Sequence, residues 1–147
     1  MLKNDQEESF MIESLHHESN RVAVVEDDGI SAWLYLTEKN SRKPVADIWI
    51  YNRIPAPDVD QIKNYQGGPP PAAKGYTQPL VVDEQPRMEA WQFIWSGDGE
   101  SVLVLLHQTP TAMIIQGEKS GYCKNLLRNG PWGKVWDEKV AEETFTA

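Results

Sequence analysis

The sequence predicts a mainly β, or α+β, domain: an antiparallel sheet of about six to seven strands built from two meanders, strongly twisted or partly closed into a barrel, with one short helix near each end. Three observations carry this prediction. Asp28-Gly29 and Asp98-Gly99 each separate two runs rich in β-branched and aromatic residues, a strong local signal for a hairpin. Ile54 to Pro79 holds six of the ten prolines and divides the chain into two such groups. A length of 147 residues with 40% hydrophobic content suits one domain, 1–147, large enough to bury a core without disulfides or metals.

The elements follow in chain order. Residues 4–18 combine polar helix formers with Met11 and Leu15 on one helical face, which predicts a short amphipathic helix. Arg21 to Val25 and Ile30 to Thr37 read as strands. With Asp28-Gly29 as the turn, Val25 pairs with Ala32, Ala23 with Leu34, Val24 with Trp33 and Val22 with Tyr35. Pro44 to Arg53 is a third strand, with Ala46, Ile48 and Ile50 on one side and Asp47, Trp49, Tyr51 and Arg53 on the other. Residues 54–79, with the run Gly67-Gly68-Pro69-Pro70-Pro71, form a long Pro/Gly-rich loop inside the domain, either functional or mobile.

Regular structure resumes at Leu80-Val81-Val82. The second hairpin sets Met88–Trp95 against Ser101–His107, aligning Trp91, Phe93 and Trp95 with Val102, Val104 and Leu106. Gln108 to Thr111 then turns into a strand from Ala112 to Gln116. The tail from Gly117 to Gly133 is rich in turns, and Asp137 caps a helix running through Val140 to about Phe145.

Composition excludes several classes. Fourteen Lys plus Arg against 22 Asp plus Glu give a net charge of −8, which repels phosphate backbones and argues against nucleic acid as a partner. The sequence has neither a secretory signal pattern at its start nor an apolar run of the ~18 residues that a membrane span needs. A single Cys and no Asn-x-Ser/Thr acceptor point to a cytoplasmic, reducing setting.

The strands are apolar on both faces, so something covers or binds the second face. One reading has the N-terminal helix, the Pro-rich loop and the tail packed over it. The other leaves Trp33, Tyr35, Trp49 and Tyr51 open as a recognition surface. Gln92 and His107, diagonal neighbours in the second hairpin, are candidates for lining a small pocket. Trp132 and Trp136 flank a Gly-Pro turn that either plugs a core edge or stacks on a ligand.

Chemistry is sparse. Adjacent His16 and His17 lack the spacing for one metal ion, and no cofactor or metal site is expected. Gly97-Asp98-Gly99 lacks the lysine of a phosphate loop, and Glu26 to Gly29 fails the spacing of a calcium loop. Cys123 has a lysine beside it but no histidine nearby in sequence, and no catalytic residue is assigned. The leading expectation is a non-enzymatic cytoplasmic protein-interaction domain, such as an inhibitor, an immunity-type protein or an accessory subunit. Its partner would be another protein or a second copy of itself, with no membrane involved. A small-molecule binding barrel or half-barrel with its pocket near Gln92 and His107 is the alternative, and an enzyme ranks third.

Overall fold

The computed structural model describes residues 9–79, 81–82 and 84–146. It is mainly β, with two sheets and two short helices. The first sheet contains β1 (Phe10–His16), β2 (Arg21–Asp27), β3 (Ser31–Thr37) and β4 (Pro44–Asn52), in that order and all antiparallel. The second contains β5 (Trp91–Trp95), β6 (Val102–Leu106), β7 (Thr109–Ile114) and the two-residue strands β8 (Tyr122–Cys123) and β9 (Lys134–Val135). It is antiparallel except that β8 and β9 run parallel. Helix α1 (Val59–Ile62) lies within the Pro-rich segment. Helix α2 (Glu138–Phe145) is the expected C-terminal helix, and the Asp137 side chain accepts the Val140 N–H at its start.

Several expectations are corrected. Residues 10–16 form an edge strand rather than a helix, because Phe10, Ile12 and Ser14 alternate with Met11, Glu13 and Leu15 and the first set turns inward. Of the rest of the expected helix, residues 9, 17 and 18 are not helical and residues 4–8 lie outside the described residues. The strands form two sheets and no closed barrel, and nine strands replace the expected six or seven because β1, β8 and β9 had no sequence signal. Leu80 is outside the described residues, and Val82 is not in a strand, although its N–H donates to the Asn52 carbonyl at 3.0 Å.

The β2–β3 register is two residues from the expected one, pairing Val25 with Leu34 and Val24 with Tyr35. The reason is the turn. Asp28 pairs with Ser31, its carboxylate accepts the Ile30 and Ser31 N–H groups, and Gly29-Ile30 form the tip with only Gly29 at positive φ (+89°). A slip of two leaves every side chain on its expected face. The β5–β6 register is as expected, with Trp91 opposite Leu106, Phe93 opposite Val104 and Trp95 opposite Val102. The next turn is tighter than expected: His107 and Gln108, at φ +52° and +68°, close a two-residue hairpin, so β7 begins at Thr109 rather than Ala112. Pro110 is accommodated beside a bulge at Thr111.

Inward-facing small and aliphatic residues of the first sheet, among them Ala23, Val25, Ala32, Leu34 and Ile48, meet the aromatic face of the second in one core that includes Trp91, Val102, Val104 and Ile114. Small against large lets the two layers interdigitate at interior density. A bulge at Ile50 shifts Tyr51 to this inner side, opposite Ala32, where its ring lies 6.1 Å from that of Trp91. The outer face of the second sheet, with Leu103 and Met113, is covered by α2 through Ala141, Val140 and Phe145.

The sheets are joined by main-chain hydrogen bonds on one side. Asp47 N–H donates to Lys119 O at 3.0 Å, Gly121 N–H to Asp47 O at 2.9 Å, and Trp49 N–H to Trp132 O at 3.1 Å. Glycine is required for this approach, since a Cβ on Gly133 would run into the Ile48 side chain and one on Gly121 into the Met113 carbonyl. On the opposite side, between β1 and β5, side chains alone span the gap among the described residues: Phe10 lies against Trp91, and Trp95 Nε1 donates to Ser14 Oγ at 2.9 Å.

Candidate functional site

The Pro-rich segment is anchored rather than loose. Asn52 leaves β4 with its side chain buried; its Oδ1 accepts from Trp49 Nε1 and from the Ala72 N–H, while its Nδ2 donates to Ala72 O, each at 2.9 Å. Ala72 and Ala73 are fully buried. Further along, Lys74 N–H donates to Pro57 O, which draws the two arms of the segment together, and Leu127 N–H donates to Tyr76 O, which ties it to the tail. The Tyr76 ring rests 4.9 Å from Trp132, with the Arg128 guanidinium 4.5 Å above it.

These ties shape a groove of about 400 Å³ lined by Pro55, Ala56, Lys74, Gly75, Thr77, Gln78, Pro79, Val81 and Leu127. The adjacent leucines divide their work: Leu126 turns into the core at 3% exposure, whereas Leu127 stays in the groove wall at 53%. Five lining side chains are prolyl or aliphatic, and the one charge, Lys74, pairs with Asp58 at 3.2 Å on the rim. Such a surface suits an apolar side chain or short apolar segment. Leu127, Val81 and the prolines were not singled out from sequence; the available signal was the Leu126-Leu127 pair standing alone in a turn-rich tail.

The aromatic candidates on the first sheet are mostly enclosed. Trp49 is 1% exposed, Tyr51 3% and Trp33 6%; Tyr35 is half-buried and stacks on Trp33 with centroids 6.5 Å apart and planes 17° from parallel. Burial first, then the carboxylates of Glu26, Asp47 and Asp28, push the Tyr35 hydroxyl upward. Tyr51 donates to Asp27 Oδ2 at 2.5 Å, and its hydroxyl is pushed up by burial and by that carboxylate. Asp27 is itself fully buried; desolvation raises its pKa, and the bonds from Tyr51 and the Gly29 N–H and the Arg53 charge at 3.4 Å pull it back only in part.

Gln92 and His107 come together with Glu89, Ala90 and Gln108, but both are exposed and the depression they share, about 290 Å³, is open and polar-walled. Trp132 is 3% exposed and plugs the core edge beside Tyr76. Trp136 is half-buried, donates to Glu138 at 3.2 Å and carries Lys124 Nζ 5.0 Å above its ring. Burial pushes the Cys123 thiol up to about 12, so it stays protonated at neutral pH and is no nucleophile. Among the described residues no group of three or more His, Cys, Asp and Glu side chains could hold a metal ion, and no helix is long and apolar enough to cross a membrane. The chain matches no protein-family model, and no curated protein and no solved structure matches it.

Proposed function

We propose that this chain is a non-enzymatic protein-interaction domain of the cytoplasm, of the inhibitor, immunity-type or accessory-subunit kind, which docks an apolar segment of a protein partner in the groove beside its Pro-rich segment. One observation carries the reading: an open apolar groove with exposed Leu127 in its wall, built from loop residues that hydrogen bonds tie to the sheets. A loop held on a rigid scaffold meets a partner with little ordering cost. The net charge of −8 favours a segment with basic residues flanking its apolar core. A lone buried thiol suits a reducing compartment.

The test is a nuclear magnetic resonance titration with synthetic peptides carrying one or two Leu or Phe residues flanked by Lys or Arg. Selective shifts at Ala56, Gly75, Thr77, Val81 and Leu127, abolished by Leu127→Lys, are expected. Leu127 is exposed, so this change leaves the fold intact. Peptides that leave these resonances still, or perturb Gln92 and His107 instead, would remove the basis of the reading.

A further inference from the structure

Strand β1 is seven residues long, pairs with β2 without a bulge, and contains neither proline nor lysine. Its other side is an open edge: among the described residues no backbone hydrogen bond reaches it there. An open, regular edge of this length presents a row of N–H and C=O groups that another strand satisfies, and natural sheets usually blunt such edges with Pro, Lys or a bulge. The outward side chains of β1 are Met11, Glu13 and Leu15, with Met11 56% and Leu15 44% exposed.

We infer that this edge pairs antiparallel with the same edge of a second copy of the chain, joining the two first sheets across a two-fold axis that passes by Glu13. The pattern of the strand argues for a copy of itself. A register centred on Glu13 uses all seven residues of each strand, setting Phe10 opposite His16, Met11 opposite Leu15 and Ile12 opposite Ser14. Met11 of each copy then lies across from Leu15 of the other, so four exposed apolar side chains cover one another on the outer face. The one like-charge meeting, Glu13 against Glu13, is neutralised within each chain by Arg42, whose guanidinium lies 2.5 Å from the Glu13 carboxylate. An isologous contact of this kind closes on itself and does not propagate into a fibre.

Sedimentation equilibrium of the intact chain, over a range of concentrations, tests the inference together with two cysteine variants. The wild type is expected to be dimeric at about 100 μM, and the double variant Met11→Lys, Leu15→Lys to self-associate at least about a hundredfold more weakly with its thermal melt unchanged. Under mild oxidation Glu13→Cys should yield a covalent dimer, because residue 13 faces its own copy, whereas Leu15→Cys should not, because it faces Met11. The native Cys123 is buried and does not compete. A wild type that stays monomeric up to about 1 mM, a dimer that survives the double lysine change, or equal cross-linking by both cysteine variants would each overturn it.

Discussion

Asn52→Ala is the most informative single change in this fold. Asn52 is 2% exposed, and among the described residues its side-chain amide is what links the Trp49 indole N–H to both main-chain groups of Ala72. Alanine leaves two buried N–H donors and one buried carbonyl without a partner. An orphaned buried polar group costs about 1 to 3 kcal/mol. The three together, with water entering the space vacated by the amide and recovering part of the loss, give about 3 to 5 kcal/mol, a large share of the 5 to 15 kcal/mol typical of a domain. Because the broken bonds hold Ala72, the effect concentrates in residues 54–79. Urea denaturation should therefore report the stability loss, and trypsin should cut the variant after Lys63 and Lys74 well before any strand. Both lysines are exposed in the wild type, but Lys74 N–H is bound to Pro57 O. Gln61→Ala is the control: the Gln61 side chain accepts from the exposed Asp58 N–H at the surface, so its loss should stay within about 0.5 kcal/mol. A loss below about 1 kcal/mol for Asn52→Ala, or an unchanged cleavage pattern, would refute the view that this residue anchors the segment.

Two other outcomes are expected. Asp27→Ala removes the fully buried acceptor shared by the Tyr51 hydroxyl, the Gly29 N–H and the Arg53 guanidinium and should cost about 3 to 5 kcal/mol in a urea melt, while Tyr51→Phe, which removes one hydrogen bond to that carboxylate, should cost about 1.5 to 3 kcal/mol. The Glu100 carboxyl is held below its ordinary value of 4.5 chiefly by Lys39 at 2.8 Å and then by Arg21. Folding therefore favours its ionised form. Its contribution is fully present above that ordinary value and fades as pH falls through the lowered one, so stability measured from pH 6 down to pH 2.5 should decline less steeply over that window in Glu100→Gln.

What could be read from the sequence was whatever short-range chemistry decides. The β5–β6 register followed from Asp98-Gly99 and the alternation around it. The same logic misplaced β2–β3 by two residues because Asp28 serves as a side-chain acceptor beside the tip instead of occupying it. Strand β1 was hidden because Glu13, Ser14 and the two histidines are compatible with either period, and packing against Trp91 and Trp95 decided the matter. Bulges at Ile50 and Thr111 depend on what lies across the sheet and carry no local signature. The groove was harder still. Pro55, Val81 and Leu127 come from three separated stretches, brought together by ties from Asn52 to Ala72 and Val82, from Lys74 to Pro57 and from Leu127 to Tyr76.

The two sheets are consecutive in the chain, since every pairing of the first lies within residues 10–52 and every pairing of the second within 91–135. Synthesis from the N-terminus therefore completes one layer long before its counterpart exists. The inner surface carrying Val25, Leu34 and Ile48 has to wait for Ile114, about 60 residues later, which at 5 to 20 residues per second is roughly 3 to 12 s. For that interval the nascent chain is a one-sided sheet with its apolar face bare. Crowded translation, rather than the finished molecule, is where this architecture is most exposed to aggregation.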